Sequence, residues 1–545
     1  MCSARRFADT IIFSNAVFTG LEDHPVQAAI AICENRIAAV GTKEEVEVWK
    51  NDATQIIDVQ DQLVMAGFHD FHLHLMMGSV AMNSINLVAA RSCAEAVEQV
   101  RAFAQERPED PWILGFAWDS GYWTEQRLPN RRDLDEVVSD RPVLLFHAEG
   151  HYAWVNSKAL ELVQIDRNTE NPEYGMIEKD EDGEPTGILY EGAIMPCGEL
   201  AFDFSIDKQK ELLHSFLKQA GQLGVTSVND LYGLELNRKL VNYELFRECE
   251  ESGELSVRIH LLPALDGDLD RAKQLRAQYQ SPFLQFTGLK QFIDGVITGY
   301  TAYLLEPYSD NPATQGSTTY PPEVIKEWVV EADREGFQIR FHVIGDGAIR
   351  LALDAFEEAQ RVNGKRDSRH CVEHIEVLHP YDVHRFAKLG VIASMQPEHL
   401  AQSERGVYTS RIGKERDHYV FALQTLQRTG AVLALGSDFP IASLEPMLEI
   451  FRAVTRIDSS GQADQVWHPK ERVTLAEALR AYTWGSAYGS FREHELGTLE
   501  PGKLADLIVL DRNLFAVPVE EILETQVCLT MVNGQIVYKK ESFAE

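Results

Sequence analysis

Residues 67–74 read Gly67-Phe68-His69-Asp70-Phe71-His72-Leu73-His74, at the close of an apolar, β-rich run. In a strand, side chains i and i+2 share a face, so His72 and His74 can offer two imidazoles to one ion. Working outward, comparable runs end near His69, Ser227, Leu262, Phe292, Phe341, His374, Met395 and Leu435, with helical patterns in the gaps. Strands alternating with helices predict an α/β fold with a parallel sheet, and eight such units are the number that closes a (β/α)8 barrel of the TIM type. From Ser227 to Leu435 the units average about thirty-five residues, close to what a barrel of ~250 residues requires.

Two stretches break that rhythm. Residues from about 82 to 210 carry their own strand-like runs, Trp112-Ile113-Leu114-Gly115-Phe116 and Pro142-Val143-Leu144-Leu145-Phe146, and are expected to form a large insertion after the first barrel strand. The segment Gly295 to Pro322, rich in Gly, Pro, Tyr and Thr, follows the fourth strand and is a candidate lid. At the ends, alternating runs such as Ala28-Ala29-Ile30-Ala31-Ile32 and Leu529-Thr530-Met531-Val532, the latter followed by the hairpin signal Asn533-Gly534, predict a small β-sandwich built from both termini. The expected division is 1–64 and 485–545 for the sandwich and 65–484 for the barrel with its insertion.

Composition narrows the partners. The 545 residues are 45% hydrophobic and 25% charged, the balance of a globular protein with a sizeable core. Lys+Arg 51 against Asp+Glu 84 leave a net charge of −33, a field that repels a phosphate backbone, so nucleic acid is not an expected partner. Gly345-Asp346-Gly347 lacks the later glycine and the Lys-Ser/Thr pair of a phosphate loop. The seven cysteines are scattered and never spaced as C-x-x-C, so neither a disulfide framework nor a thiolate cluster is suggested. Arg5-Arg6 lead into Phe7-Ala8-Asp9-Thr10 without the apolar core of a signal peptide, and no stretch approaches the ~20 apolar residues of a membrane span. A cytoplasmic location, no membrane partner and a homodimer are the expectations.

The chemistry collects at strand ends. His342 closes the fifth run, His374 the sixth in Cys371-Val372-Glu373-His374, and Asp438 follows the eighth in Leu435-Gly436-Ser437-Asp438. With His72 and His74, four histidines and a carboxylate sit where barrel side chains converge on one mouth, a pattern that points to metal binding. Lys290 ends the fourth run; such a lysine ordinarily snorkels or pairs with an acid.

These motifs, together with Asn35-Arg36-Ile37, His151 with Asn156-Ser157-Lys158-Ala159-Leu160, Asp294-Gly295, Gly345-Asp346, Gln396-Pro397 and Gly497 through Asp506, resemble the amidohydrolase superfamily over essentially the whole chain. Within it the chain is similar to the branch of N-substituted formamide deformylases. The resemblance implies His72, His74 and Asp438 on one metal, His342 and His374 on another, and a carboxylated Lys290 between them. Ala66 stands where that pattern usually has Pro before Gly67, a departure that leaves the ligands untouched. His151 becomes a catalytic or substrate-pocket candidate, with a structural hydrogen-bonding role as the alternative.

Imidazole and carboxylate ligands suit Zn²⁺, one or two per chain, with Mn²⁺, Fe²⁺ and Co²⁺ also compatible. The expected activity is that of a metal-dependent amidohydrolase: cleavage of a C–N amide-type bond in a small-molecule substrate, an N-formyl or N-acyl amine or a cyclic amide, by a metal-activated hydroxide. Asp438 is expected to take the water's proton and return it to the departing nitrogen. Two alternatives stay open: a mononuclear deaminase of the same superfamily, and a non-catalytic regulatory protein that binds a small molecule.

Overall fold

The computed structural model describes residues 7–543 except 126, 149, 173–174, 234–238, 403–404, 459–460 and 462–465. The chain divides into two compact units, one of residues 1–73, 217–232 and 249–545, the other of residues 74–216 and 233–248.

In the first unit eight strands carry the functional residues: β1 (Phe68–Leu73), β2 (Val225–Leu231), β3 (Arg258–Leu262), β4 (Leu289–Phe292), β5 (Ile339–Val343), β6 (Cys371–His374), β7 (Ile392–Met395) and β8 (Leu433–Leu435). The strands β1, β2 and β3 pair in parallel, with Val228 opposite Asp70 and Ile259, and a short strand Leu284–Phe286 continues that sheet beyond β3. The run from β4 to β8 forms a second all-parallel sheet. Parallel bridges at Ala264–Lys290 and Leu73–Phe439 link the two. β1 and β2 extend about four residues beyond the apolar runs that announce them, to Leu73 and Leu231, because Asp70, His72, Asn229 and Asp230 are buried without leaving the strand.

Helices back these strands with apolar faces. Asp346–Asn363 buries Ala348, Ile349, Ala352, Leu353, Ala355, Phe356 and Ala359, recurring at three- and four-residue steps, and stops at Gly364, whose φ of 89° suits a residue without a Cβ. Each fully buried Leu, Ile or Phe contributes roughly 1.5–3 kcal/mol.

Both termini join one eight-stranded sheet in which Leu63–Ala66 pairs in parallel with Thr10–Phe18 and antiparallel with Leu507–Leu510. Ile12, Ile30, Val64, Leu507 and Leu529 share its buried cluster. The second unit has a six-stranded mixed sheet over a core containing Trp118, Trp123 and Trp154. Among the described residues no helix is long and apolar enough to cross a membrane.

The segment after β4 is tied down at its base. Asp294 accepts from the backbone N–H groups of Tyr303, Ile344 and Gly345 at 2.9, 3.0 and 2.9 Å. A Cβ on Gly345 would meet the Tyr303 carbonyl oxygen at 2.1 Å, so only glycine permits this approach. Burial pushes the Asp294 carboxyl up to about 8, against the pull of those three donors.

Candidate metal centre

His72, His374 and Asp438 each present a ligand atom within 4.8 Å of the others, and all three are buried. They come from β1, β6 and the turn after β8. His72 Nδ1 lies 2.8 Å from Glu373 Oε2, and its Nε2 lies 3.2 Å from Asp438 Oδ1. The approach of β8 to β1 depends on Gly436, where a Cβ would meet the His72 backbone nitrogen at 2.3 Å. Asp70 fastens the same junction: its Oδ1 accepts from the N–H groups of His72 and Ser437, its Oδ2 from the Tyr482 hydroxyl. Burial raises the Asp70 carboxyl to about 6, against the opposing pull of those donors.

His374 and Asp438 both occupy the left-handed region, with φ of 70° and 59°. Non-glycine residues held there cost of order 1–3 kcal/mol each and persist where the surroundings over-determine them. The turns aim both side chains at the cluster: the His374 ring sits 4.9 Å from that of His72, 4.4 Å from that of His342 and 5.4 Å from that of His399.

His342, next to last in β5, lies beside Phe292, ring to ring at 4.7 Å, and burial together with Lys290 holds its pKa well below the usual imidazole range. Lys290, on β4, is fully buried with its Nζ 5.2 Å from the Phe292 ring. Burial foremost, and Arg340 beside it, bring its ammonium down to about 8, although Glu373 and Asp438 pull the other way. The remaining two predicted residues belong to the second unit. His74 precedes the helix Leu75–Met82, and its carbonyl accepts from Gly78. His151 is half-buried with Nδ1 2.9 Å from Glu191 Oε1.

The sequence alone assigns no role to Glu373, Arg340, His399, Glu376 or Tyr408. Glu373 joins His72 to Arg340, whose Nε donates to Glu373 Oε1 at 2.6 Å; burial raises the Glu373 carboxyl, but Arg340 and His72 outweigh it and hold it well below the usual carboxylate range. His399 bridges two acids, Nε2 to Asp438 Oδ2 at 3.3 Å and Nδ1 to Glu376 Oε1 at 3.4 Å, and Glu376 also accepts from the Tyr408 hydroxyl. Burial lowers the His399 pKa, but these carboxylates raise it further, to about 10. The available signals were adjacency: Glu373 precedes His374, and His399 follows Gln396-Pro397.

Residues and ion fit each other on the buried donors. Among the described residues, both ring nitrogens of His374 and the Nζ of Lys290 are buried without a hydrogen-bond partner. Buried polar groups are otherwise nearly always satisfied, and a divalent cation bound by imidazole and carboxylate would take up one of the two His374 nitrogens.

The model of the amidohydrolase family matches residues 55–538. The chain belongs to the amidohydrolase family. Among family members, N-substituted formamide deformylase of Arthrobacter pascens is 30% identical over 527 residues, covering 94% of this chain and 95% of that protein. Protein LONG AFTER FAR-RED 3 of Arabidopsis thaliana is 32% identical over 542 residues, covering 97% and 92%. The crystal structure of an uncharacterized metal-dependent hydrolase from Pyrococcus furiosus superposes with a TM-score of 0.74 at 29% identity, covering 92% of this chain and 99% of that one.

Proposed function

We propose that this amidohydrolase is a metal-dependent enzyme that hydrolyses a C–N amide-type bond of a small molecule, an N-formyl or N-acyl amine or a cyclic amide. The observation that carries the reading is the His72–His374–Asp438 cluster, with ligand atoms within 4.8 Å of one another and both nitrogens of His374 lacking a described hydrogen-bond partner. The kinship with a deformylase supports the substrate class. We read the eight parallel strands as a (β/α)8 barrel and the terminal sheet as a β-sandwich, dividing the chain at 1–64, 65–484 with an insertion at about 82–210, and 485–545. The working form in this reading is a cytoplasmic homodimer.

The residues that would hold one or two divalent ions are His72, His74, His342, His374, Asp438 and Lys290, the last as a carbamate. A Zn²⁺ or similar ion held there would supply Lewis acidity and would lower the pKa of water from ~15.7 to about 7. Asp438 accepts the proton of the attacking water and passes it to the departing nitrogen, since an amine leaves readily only when protonated. His399, on the far oxygen of Asp438, keeps that carboxylate aimed at the cluster through the acid-to-base exchange. Lys290, with its pKa near 8, has a neutral fraction at working pH whose nitrogen adds to carbon dioxide, forming the N–C bond and releasing a proton. His151, held by Glu191, is the second acid–base candidate.

A mononuclear deaminase is the second reading, favoured by the fact that the tight cluster contains three residues. A panel of N-formyl amines, N-acyl amines and amino-heterocycles, assayed with the protein as purified, after chelation and after Zn²⁺ return, decides between them. Chelator-sensitive release of free amine from the acyl compounds supports the proposal; ammonia release from the heterocycles alone rejects it.

A further inference from the structure

The strand β6 supplies two neighbouring residues to one place, which a regular strand does not do. Cys371 and Glu373 share a face, and Cys371 packs with Phe71, Ile392 and Ala434 in a buried cluster. His374 would normally point the opposite way. The left-handed turn at His374 and Ile375, with φ of 70° and 53°, breaks the alternation and leaves the histidine ring 4.9 Å from that of His72 while Glu373 meets His72 at 2.8 Å.

Both ring nitrogens of His72 face carboxylates, and the nearer is Glu373. A carboxylate oxygen only accepts, so the 2.8 Å contact places the ring hydrogen on Nδ1. In the neutral ring of that tautomer the lone pair is on Nε2, which faces Asp438 Oδ1 at the longer distance of 3.2 Å. A divalent cation held between Nε2 and Asp438 would be bound by both of them while the ring hydrogen stays on Nδ1 toward Glu373. Glu373 in turn is held from the other side: Arg340 donates from Nε to Glu373 Oε1 at 2.6 Å and from Nη2 to the Phe71 carbonyl at 2.6 Å, with its guanidinium 3.8 Å over the Phe71 ring. The register of the sheet keeps Arg340 opposite Cys371 on one side and Lys290 on the other.

We infer that Glu373 is a positioning residue of the metal centre, holding His72 as the tautomer that binds the ion through Nε2, and that Arg340 is the strut that holds Glu373 in place. The inference rests on the metal-centre reading above. Groups that orient a metal-binding histidine typically affect affinity 10–100-fold.

The test is a competition between the full-length protein and a chelating dye for Co²⁺, followed by the visible spectrum of the Co²⁺-saturated protein. Glu373→Gln is expected to weaken Co²⁺ binding 10–100-fold and to change the spectrum at saturation, because an amide can donate to Nδ1 and move the ring hydrogen to Nε2. The double substitution Glu373→Gln with Arg340→Met removes the buried cation along with its partner and is expected to do the same. A variant with the parent's affinity and spectrum overturns the inference and leaves the metal centre standing. A parent that binds no Co²⁺ overturns both. Should neither variant fold, the crystal structure of the Co²⁺-loaded parent decides: ligation through His72 Nε2 supports the inference, and ligation through Nδ1, or none from His72, overturns it.

Discussion

Two buried cations on neighbouring strands of the first unit differ in their surroundings. Arg258, which opens β3, donates from Nε and Nη2 to the two oxygens of Asp506 at 2.7 and 3.0 Å, from Nη1 to the Pro282 carbonyl at 3.0 Å, and stacks 4.5 Å over the Phe283 ring. Asp506 also accepts from the Asn533 N–H, so the set ties β3 to the C-terminal strands of the terminal sheet with its donors matched to acceptors. Lys290, on β4, has no hydrogen-bond partner among the described residues, and the same holds for both nitrogens of His374 on β6. Satisfied buried charge of the first kind holds a structure together. The unpartnered nitrogens of Lys290 and His374, beside left-handed His374 and Asp438, are what the proposed metal centre would draw on.

The contrast breaks most visibly under substitution at the unsatisfied end. Asp438→Asn is expected to lower turnover by roughly 10²–10⁴-fold, mainly in kcat. Lys290→Met should also lose most activity while melting no lower than the parent, because an apolar side chain replaces a buried amine without a partner. Steady-state kinetics on the best amide substrate, paired with thermal melts, checks both; a Lys290→Met protein with parental turnover would place Lys290 with Arg258 among the structural groups.

The satisfied end should respond the opposite way. Asp506→Ala leaves the Arg258 guanidinium buried without its carboxylate and is expected to cost about 3–5 kcal/mol of stability, read by denaturant unfolding, while the molecules still folded keep the parent's kcat and metal content.

A smaller effect sharpens the same rule. Asp333 is buried, which raises its carboxyl, but His370, Asn363 and Arg366 outweigh burial and bring it down to about 2. A depressed carboxylate stabilises the fold above its unfolded pKa of ~3.9 and loses that contribution as pH falls toward the folded value. The gap in stability between the parent and Asp333→Asn, on the order of 2 kcal/mol at pH 7, is therefore expected to stay constant down to about pH 4 and to narrow below it. A gap that closed between pH 7 and pH 5 would contradict the assignment.

The eight strands were legible because each carries an apolar run with a helical pattern behind it, and Lys290, His342, His374 and Asp438 stood out because each sits at or just beyond the end of such a run. The strand ends at Leu73 and Leu231 were read short, since Asp70, His72, Asn229 and Asp230 look like loop chemistry until a buried environment accepts them. The partners were harder. Glu373 meets His72 across 301 positions of sequence, and a glutamate inside a strand reads as an outward-facing residue unless Arg340 is known to lie beneath it. The left-handed backbone at His374 and Ile375 has little signal in residue type, because histidine enters that region only occasionally and a β-branched isoleucine hardly ever. His399 was hidden for the same reason as Glu373: its two acids come from β6's exit and β8's exit, and only the fold brings them to one ring.

The central claim is that the strand-end cluster binds a divalent metal, and an anomalous difference map at the zinc edge from crystals of the Zn²⁺-loaded full chain tests it most directly. The account predicts a peak within about 2.0–2.2 Å of His72 Nε2, a His374 ring nitrogen or an Asp438 oxygen. A map without density at these three residues, from crystals whose zinc content is established by elemental analysis, would contradict it.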